Sequence, residues 1–168
     1  MSLTVKVGDP LPSVGLRATD GYLLNLRSFV TKRPAAFLFF GAPTLKGAAR
    51  RRGLKAVEAL VGGYGRLREA GIEIVGVSCD SEEQQAGYVR EASIPFLLYS
   101  DERRTAAGML GLDLVSEGEN HNVAKPLAIA VDRDGVVRAI IDKVDPETLV
   151  DDLLRALSEP MPAATTGA

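Results

Sequence analysis

The chain has 168 residues, 46% apolar and 25% charged, with 20 Lys and Arg against 22 Asp and Glu and a formal net charge of −2. That length suits one domain whose core needs no staples, and a balanced charge speaks against a whole-domain grip on nucleic acid. One cysteine and one histidine exclude an internal disulfide and a metal site built from several Cys and His ligands, and any Ser-His-Asp or Cys-His catalyst would have to use His121.

Met1 to Pro12 carries Gly8, Asp9 and two prolines without an apolar stretch, so it does not read as a secretory leader. No run approaches the ~20 apolar residues that span a bilayer. The expectation is a cytoplasmic protein without membrane contact. Val14–Ala18 and Tyr22–Leu26 flank Thr19-Asp-Gly21 and predict a β-hairpin. Ala35–Phe40 is a continuous apolar run between Pro34 and Gly41, the pattern of a strand buried on both faces. A helix follows from Ala48 to about Ala70, interrupted at Gly62-Gly63, since each glycine costs about 1 kcal/mol against alanine in a helix. Ile72–Ser78 is a second buried strand. Asp80, with Glu83 three residues on, predicts the cap of a helix running to Ala92. A short strand is expected over Phe96–Tyr99 and a short helix over Arg103–Leu110. Glu117–Asn122 reads as a polar loop containing His121. Leu127–Val131 and Val136–Ile141 form a hairpin about Asp132-Arg-Asp-Gly135, and Asp145-Pro146 opens a last helix with an apolar stripe at Leu149, Val150, Leu153, Leu154 and Leu157. Glu159–Ala168 reads as a disordered tail, which leaves a single domain over residues 1–158.

Alternating strands and helices imply an α/β fold: a central mixed β-sheet flanked by helices, with an N-terminal β-hairpin. Function in such sheets sits outside the carboxyl ends of the parallel strands. The loops from Gly41 to Gly47, from Cys79 to Ser81 and before Leu127 qualify.

The ordered motifs resemble peroxiredoxins of the alkyl hydroperoxide reductase and thiol-specific antioxidant family. These motifs are Val7-Gly-Asp-Pro-Leu-Pro12, Asp20-Gly21, Leu26-Arg-Ser-Phe29, Phe37-Leu-Phe-Phe-Gly-Ala-Pro43, Ile74-Val-Gly-Val-Ser-Cys-Asp-Ser81, Ile94-Pro-Phe96, Tyr99-Ser-Asp101 and Ala130-Val-Asp-Arg-Asp-Gly135. The resemblance covers roughly residues 5 to 158 and implies a thioredoxin-like fold, an antioxidant oxidoreductase ancestry and a homodimer. It also implies a peroxidatic cysteine at the start of the first long helix, held as thiolate by the helix N-terminus and an arginine. Here the active-site-equivalent loop holds Pro43, Thr44, Leu45, Ala48 and Ala49 instead. A Cys-x-x-Cys pair would fall on Leu45 and Ala48, and a single cysteine near Ala49, yet no cysteine precedes Cys79. Lys125-Pro126 stands where thioredoxin-like proteins carry a cis-proline, so a cis bond is expected there. The surroundings of Leu45, Lys46, Arg50, Arg51 and Arg52 do not resemble a working site with one atom removed, which favours natural divergence.

Three readings of function follow. The first is a redox-inert member acting through a protein partner or small ligand. The second is a thiol peroxidase using Cys79. A helix start near Ser81 would favour its thiolate and Asp80 would oppose it, while an unperturbed thiol is only about 3% ionised at pH 7; the plainer reading of Cys79 is a small buried hydrophobe closing a strand. The third is a small-anion module built on Lys46, Arg50 and Arg51, against the plainer reading of a solvated basic face. His121 reads as an exposed loop residue. Asp132-x-Asp134-Gly135 reads as a hairpin turn because it lacks the later ligands of a calcium loop. No metal and no cofactor is expected.

Overall fold

The computed structural model describes residues 3–12, 15–18, 23–25, 33–40, 45–112, 114–117 and 120–158; at 18, 23, 24, 115, 117 and 120–124 it describes backbone only. The chain opens with an antiparallel hairpin of β1 (Gly15–Ala18) and β2 (Leu23–Asn25). Strand β3 (Ala35–Phe39) leads to helix α1 (Gly47–Gly62) and, after Gly63, to α2 (Tyr64–Glu69). Then come β4 (Glu73–Ser78), α3 (Glu82–Ala92), β5 (Leu98–Ser100) and α4 (Thr105–Leu110). A second hairpin, β6 (Leu114–Glu117) and β7 (Asn120–Ala124), precedes β8 (Leu127–Val131), β9 (Val137–Ile141) and the closing helix α5 (Leu149–Ser158).

Among the described residues seven strands form one mixed sheet in the order β2-β1-β5-β4-β3-β8-β9. Strands β3, β4 and β5 run parallel, while β8 pairs antiparallel with β3 and β9 with β8. Because side chains alternate along a strand, β3 feeds two cores. Ala35, Phe37 and Phe39 face one side with Val75, Val77, Ile129 and Leu110 of α4. Ala36, Leu38 and Phe40 face the other with Ala56, Val57 and Leu60 of α1, Leu67 of α2 and Leu149 and Leu153 of α5. All five residues of β3 are buried, as an apolar run with no polar alternation requires.

Four local expectations are corrected. The cap of α3 is Ser81, not Asp80: Ser81 Oγ accepts from the Gln84 amide at 3.2 Å and Gln84 Oε1 accepts from the Ser81 amide at 2.9 Å, a reciprocal pair that outcompetes a lone carboxylate. Strand β5 starts at Leu98 and not at Phe96, because Pro95 has no amide to give and Phe96 is drawn into the core against Tyr64, ring centroids 6.4 Å apart. His121 lies in strand β7 and not in a loop; Leu114 pairs with Ala124 and Glu117 with Asn120, a hairpin whose polar residues hide its two-residue period. The Lys125–Pro126 bond is trans, not cis. Even before proline, trans is favoured by ~0.5–1 kcal/mol, and the two-residue link from β7 to β8 is made in that form. Glu159–Ala168, the expected tail, lies outside the described residues.

Candidate functional site

The register fixes what gathers at the carboxyl edge of the parallel strands. Phe39 pairs with Val77 and with Leu127, the Phe40 amide donates to the Val77 carbonyl at 3.0 Å, and Ser78 pairs with Ser100. The start of α1, the turn after β4, the turn after β5 and the entry to β8 therefore share one edge. Ala128 pairs with Ile141, so the exit of β9 joins them.

At the start of α1, Leu45 is 8% and Ala49 6% exposed, both counted in the core, and Ala48 is half-buried. Lys46 stands at the cap position with no side-chain hydrogen bond to the first turn, and no acidic residue lies in that turn. Pro43 and Thr44 lie outside the described residues. The basic residues do not act as one group. Lys46, Arg50 and Arg51 are exposed. Arg50 acts on Tyr88 of α3, whose phenol is pushed up to about 12 by burial and by Glu58, with Arg50 opposing. Arg52 lies elsewhere, in a cleft with Lys55, Lys125 and Pro126. Pro126 thus shares a cleft with Arg52.

Cys79 directly follows β4 and is half-buried. Its two neighbours are deeply buried, Ser78 at 2% and Asp80 at 3% exposure. Ser78 Oγ donates to Asp80 Oδ2 at 2.7 Å, and Ser100 Oγ donates to the Asp80 carbonyl at 2.6 Å. Gln85, fully buried on α3, donates through Nε2 to Ser78 Oγ and to the Tyr99 carbonyl, both at 2.8 Å. This polar network locks the turn carrying Cys79 against α3 and β5. The first turn of α3 is occupied by its own capping box and by Glu82 and Glu83. Sequence reasoning missed Gln85; a glutamine on the inward stripe of a helix is its only signal, and pattern alone does not separate that from a solvated position.

A second cleft, about 380 Å³, lies by β1 and the turn after β5 and mixes Arg17 and Arg103 with Glu82, Asp101 and Glu102. At the β8–β9 turn, Asp132 Oδ1 accepts from the amides of Asp134 and Val136 at 2.9 and 3.1 Å, so that carboxylate serves the hairpin. No cluster of three or more His, Cys, Asp or Glu able to hold a metal is found among the described residues. Among those residues no helix is long and apolar enough to cross a membrane.

Known proteins are similar to this chain in sequence and fold. Peroxiredoxin Q, chloroplastic, of Populus jackii is 28% identical over 154 residues, covering 91% of this chain and 68% of its own. Peroxiredoxin Bcp of Escherichia coli is 24% identical over 157 residues, covering 92% of this chain and 97% of its own. The crystal structure of peroxidoxin BcpB from Mycobacterium tuberculosis superposes with a TM-score of 0.77 at 21% identity, covering 91% of this chain and 96% of that one. A mutant of PrxQ from Xylella fastidiosa gives 0.75 at 12% identity, covering 92% and 96%. The fold is thioredoxin-like, as the element order implies, and the family model "AhpC/TSA family" matches residues 7–140: the chain belongs to the peroxiredoxin-like AhpC/TSA family.

Proposed function

We propose that this family member carries no thiol peroxidase chemistry at the usual position and works through binding. The observation behind the reading is the start of α1, where Leu45 just before the cap and Ala49 in the first turn are buried and Ala48 is half-buried. None of these side chains can attack an O–O bond. Peroxide reduction by a thiolate leaves a sulfenic acid and releases water or an alcohol, and a second thiol must then condense with it. The sole thiol, Cys79, stands one strand away beside the buried Asp80. Its position at the same sheet edge favours a second reading, in which Cys79 is the peroxidatic thiol and an external thiol resolves it.

One experiment separates the two. Peroxide consumption is followed with dithiothreitol as reductant, and Cys79 is inspected by mass spectrometry after a peroxide titration. The expected outcome is consumption no faster than the reductant background, an unmodified Cys79 and the same rate for Cys79→Ser. Turnover above background that Cys79→Ser abolishes, with an oxygen adduct or mixed disulfide on Cys79, overturns the proposal in favour of the second reading.

The same reading, by likeness to the family, makes the chain a cytoplasmic homodimer that meets a protein partner or a small anionic ligand. Sedimentation velocity of the full chain tests the pairing. A species of twice the chain mass at micromolar concentration is expected, and a monomer throughout contradicts it.

A further inference from the structure

Four cationic side chains from three stretches of chain line one cleft at the carboxyl edge of the sheet. Arg52 and Lys55 come from α1, Lys125 from the entry to β8 and Lys143 from the exit of β9. Pro126, Val144 and Pro146 form the apolar walls, Asp142 is the single carboxylate in the lining, and the cleft holds about 540 Å³. That volume falls within the roughly 300–1,000 Å³ of small-molecule sites. The convergence is a product of the fold. The pairings Phe39–Leu127 and Ala128–Ile141 bring residues 125–126 and 142–143 to the end of β3, where α1 begins.

The charge is what makes this cleft distinct. Four cations face one carboxylate in a chain whose formal net charge is −2. Among the described residues no carboxylate pairs with Lys55, Lys125 or Lys143. The cleft beside β1 mixes both signs. A concave wall of one sign concentrates the opposite sign, because the low-dielectric protein behind it focuses the field. Cations on separate walls are best satisfied by an anion with more than one charged group, and a single carboxylate or chloride cannot reach them all. The prolines and Val144 offer surface to an apolar or planar portion.

We propose that this cleft binds a multiply charged organic anion, phosphorylated and carrying a planar or apolar portion, through Arg52, Lys55, Lys125 and Lys143. The site is distinct from the Lys46, Arg50 and Arg51 group expected from sequence, and it does not depend on whether Cys79 reacts.

Isothermal titration of the full chain at low ionic strength tests it with two probes. Adenosine diphosphate carries both charge and a planar group; inorganic pyrophosphate carries charge alone. Saturable one-to-one binding of both is expected, tighter for the nucleotide and weakening as salt is raised. The Lys55→Ala/Lys125→Ala double variant, at two exposed positions, should lose at least about tenfold in affinity, while Arg103→Ala in the mixed-charge cleft should not change it. No saturable binding of either probe overturns the proposal. So does binding that survives the double variant, or that falls as much in Arg103→Ala, which would reveal diffuse charge and no site. Pyrophosphate binding as tightly as the nucleotide overturns the role given to the apolar walls.

Discussion

Asp101 leaves β5 with its carboxylate turned onto the start of α4. Oδ1 accepts from the Ala106 amide at 2.9 Å and Oδ2 from the Ala107 amide at 2.8 Å, while its own amide donates to the Ser78 carbonyl at 2.8 Å. One side chain thus supplies the cap that α4, entered through Arg104 in a left-handed conformation, lacks locally. Asp101→Ala should cost about 0.5–2 kcal/mol, the usual worth of such a cap. The residue is 4% exposed, and burial lifts its carboxyl above the ordinary 3.8 although three backbone amides and Arg104 act to lower it. The sign of the pH effect follows. Between 3.8 and the raised value the folded chain holds this proton and the unfolded chain has released it, so the contribution of Asp101 to stability grows as pH falls through that window. Denaturant unfolding at a series of pH values, compared with Asp101→Asn, should show the wild type gaining on the variant upon acidification. A loss relative to the variant would contradict the assignment.

The elements were largely legible. The continuous run of β3, the Asp-Gly hairpin at 132–135 and the stripe of α5 are strong signals because burial on both faces, a turn chemistry and a single apolar face each leave a distinct pattern. What failed lay where near-equal local options competed: Ser81, with Gln84 completing a reciprocal box, over Asp80 as the cap, and a hairpin of mostly polar residues around His121. The break at Gly63 was also legible, and the structure supplies a reason that sequence does not contain. A methyl group at Gly63 would collide with both γ-carbons of Val150 on α5, Cγ1 lying 2.8 Å away. Val150 is β-branched and cannot swing aside cheaply. Gly63→Ala should therefore destabilise by about 1–3 kcal/mol, as overpacking does, and Val150→Ala in the same chain should restore part of the loss. Urea unfolding of the two variants measures this; no cost in Gly63→Ala would mean that α5 shifts freely.

At the scale of the whole molecule, the sequence disclosed which loops share the carboxyl edge of the parallel strands but not the partition of charge along it. Lys46, Arg50, Arg51 and Arg52 read as one basic run, yet successive residues of a helix point about 100° apart. Arg50 acts electrostatically on Tyr88, while Arg52 lines a cleft with Lys125 and Lys143, residues that are remote in sequence. Only strand order reveals that meeting, and strand order depends on β8 entering beside β3. That insertion also sets a schedule. During synthesis β3 can pair with β4 after a single crossover, but its other edge stays open until residues 127–131 have left the ribosome. Through that interval a wholly apolar strand offers an unpaired row of amides and carbonyls to any neighbouring chain, the condition in which nascent proteins self-associate. The late segment that ends this exposure also delivers Lys125 and Lys143, so a chain released early would be at once sticky and without its basic cleft.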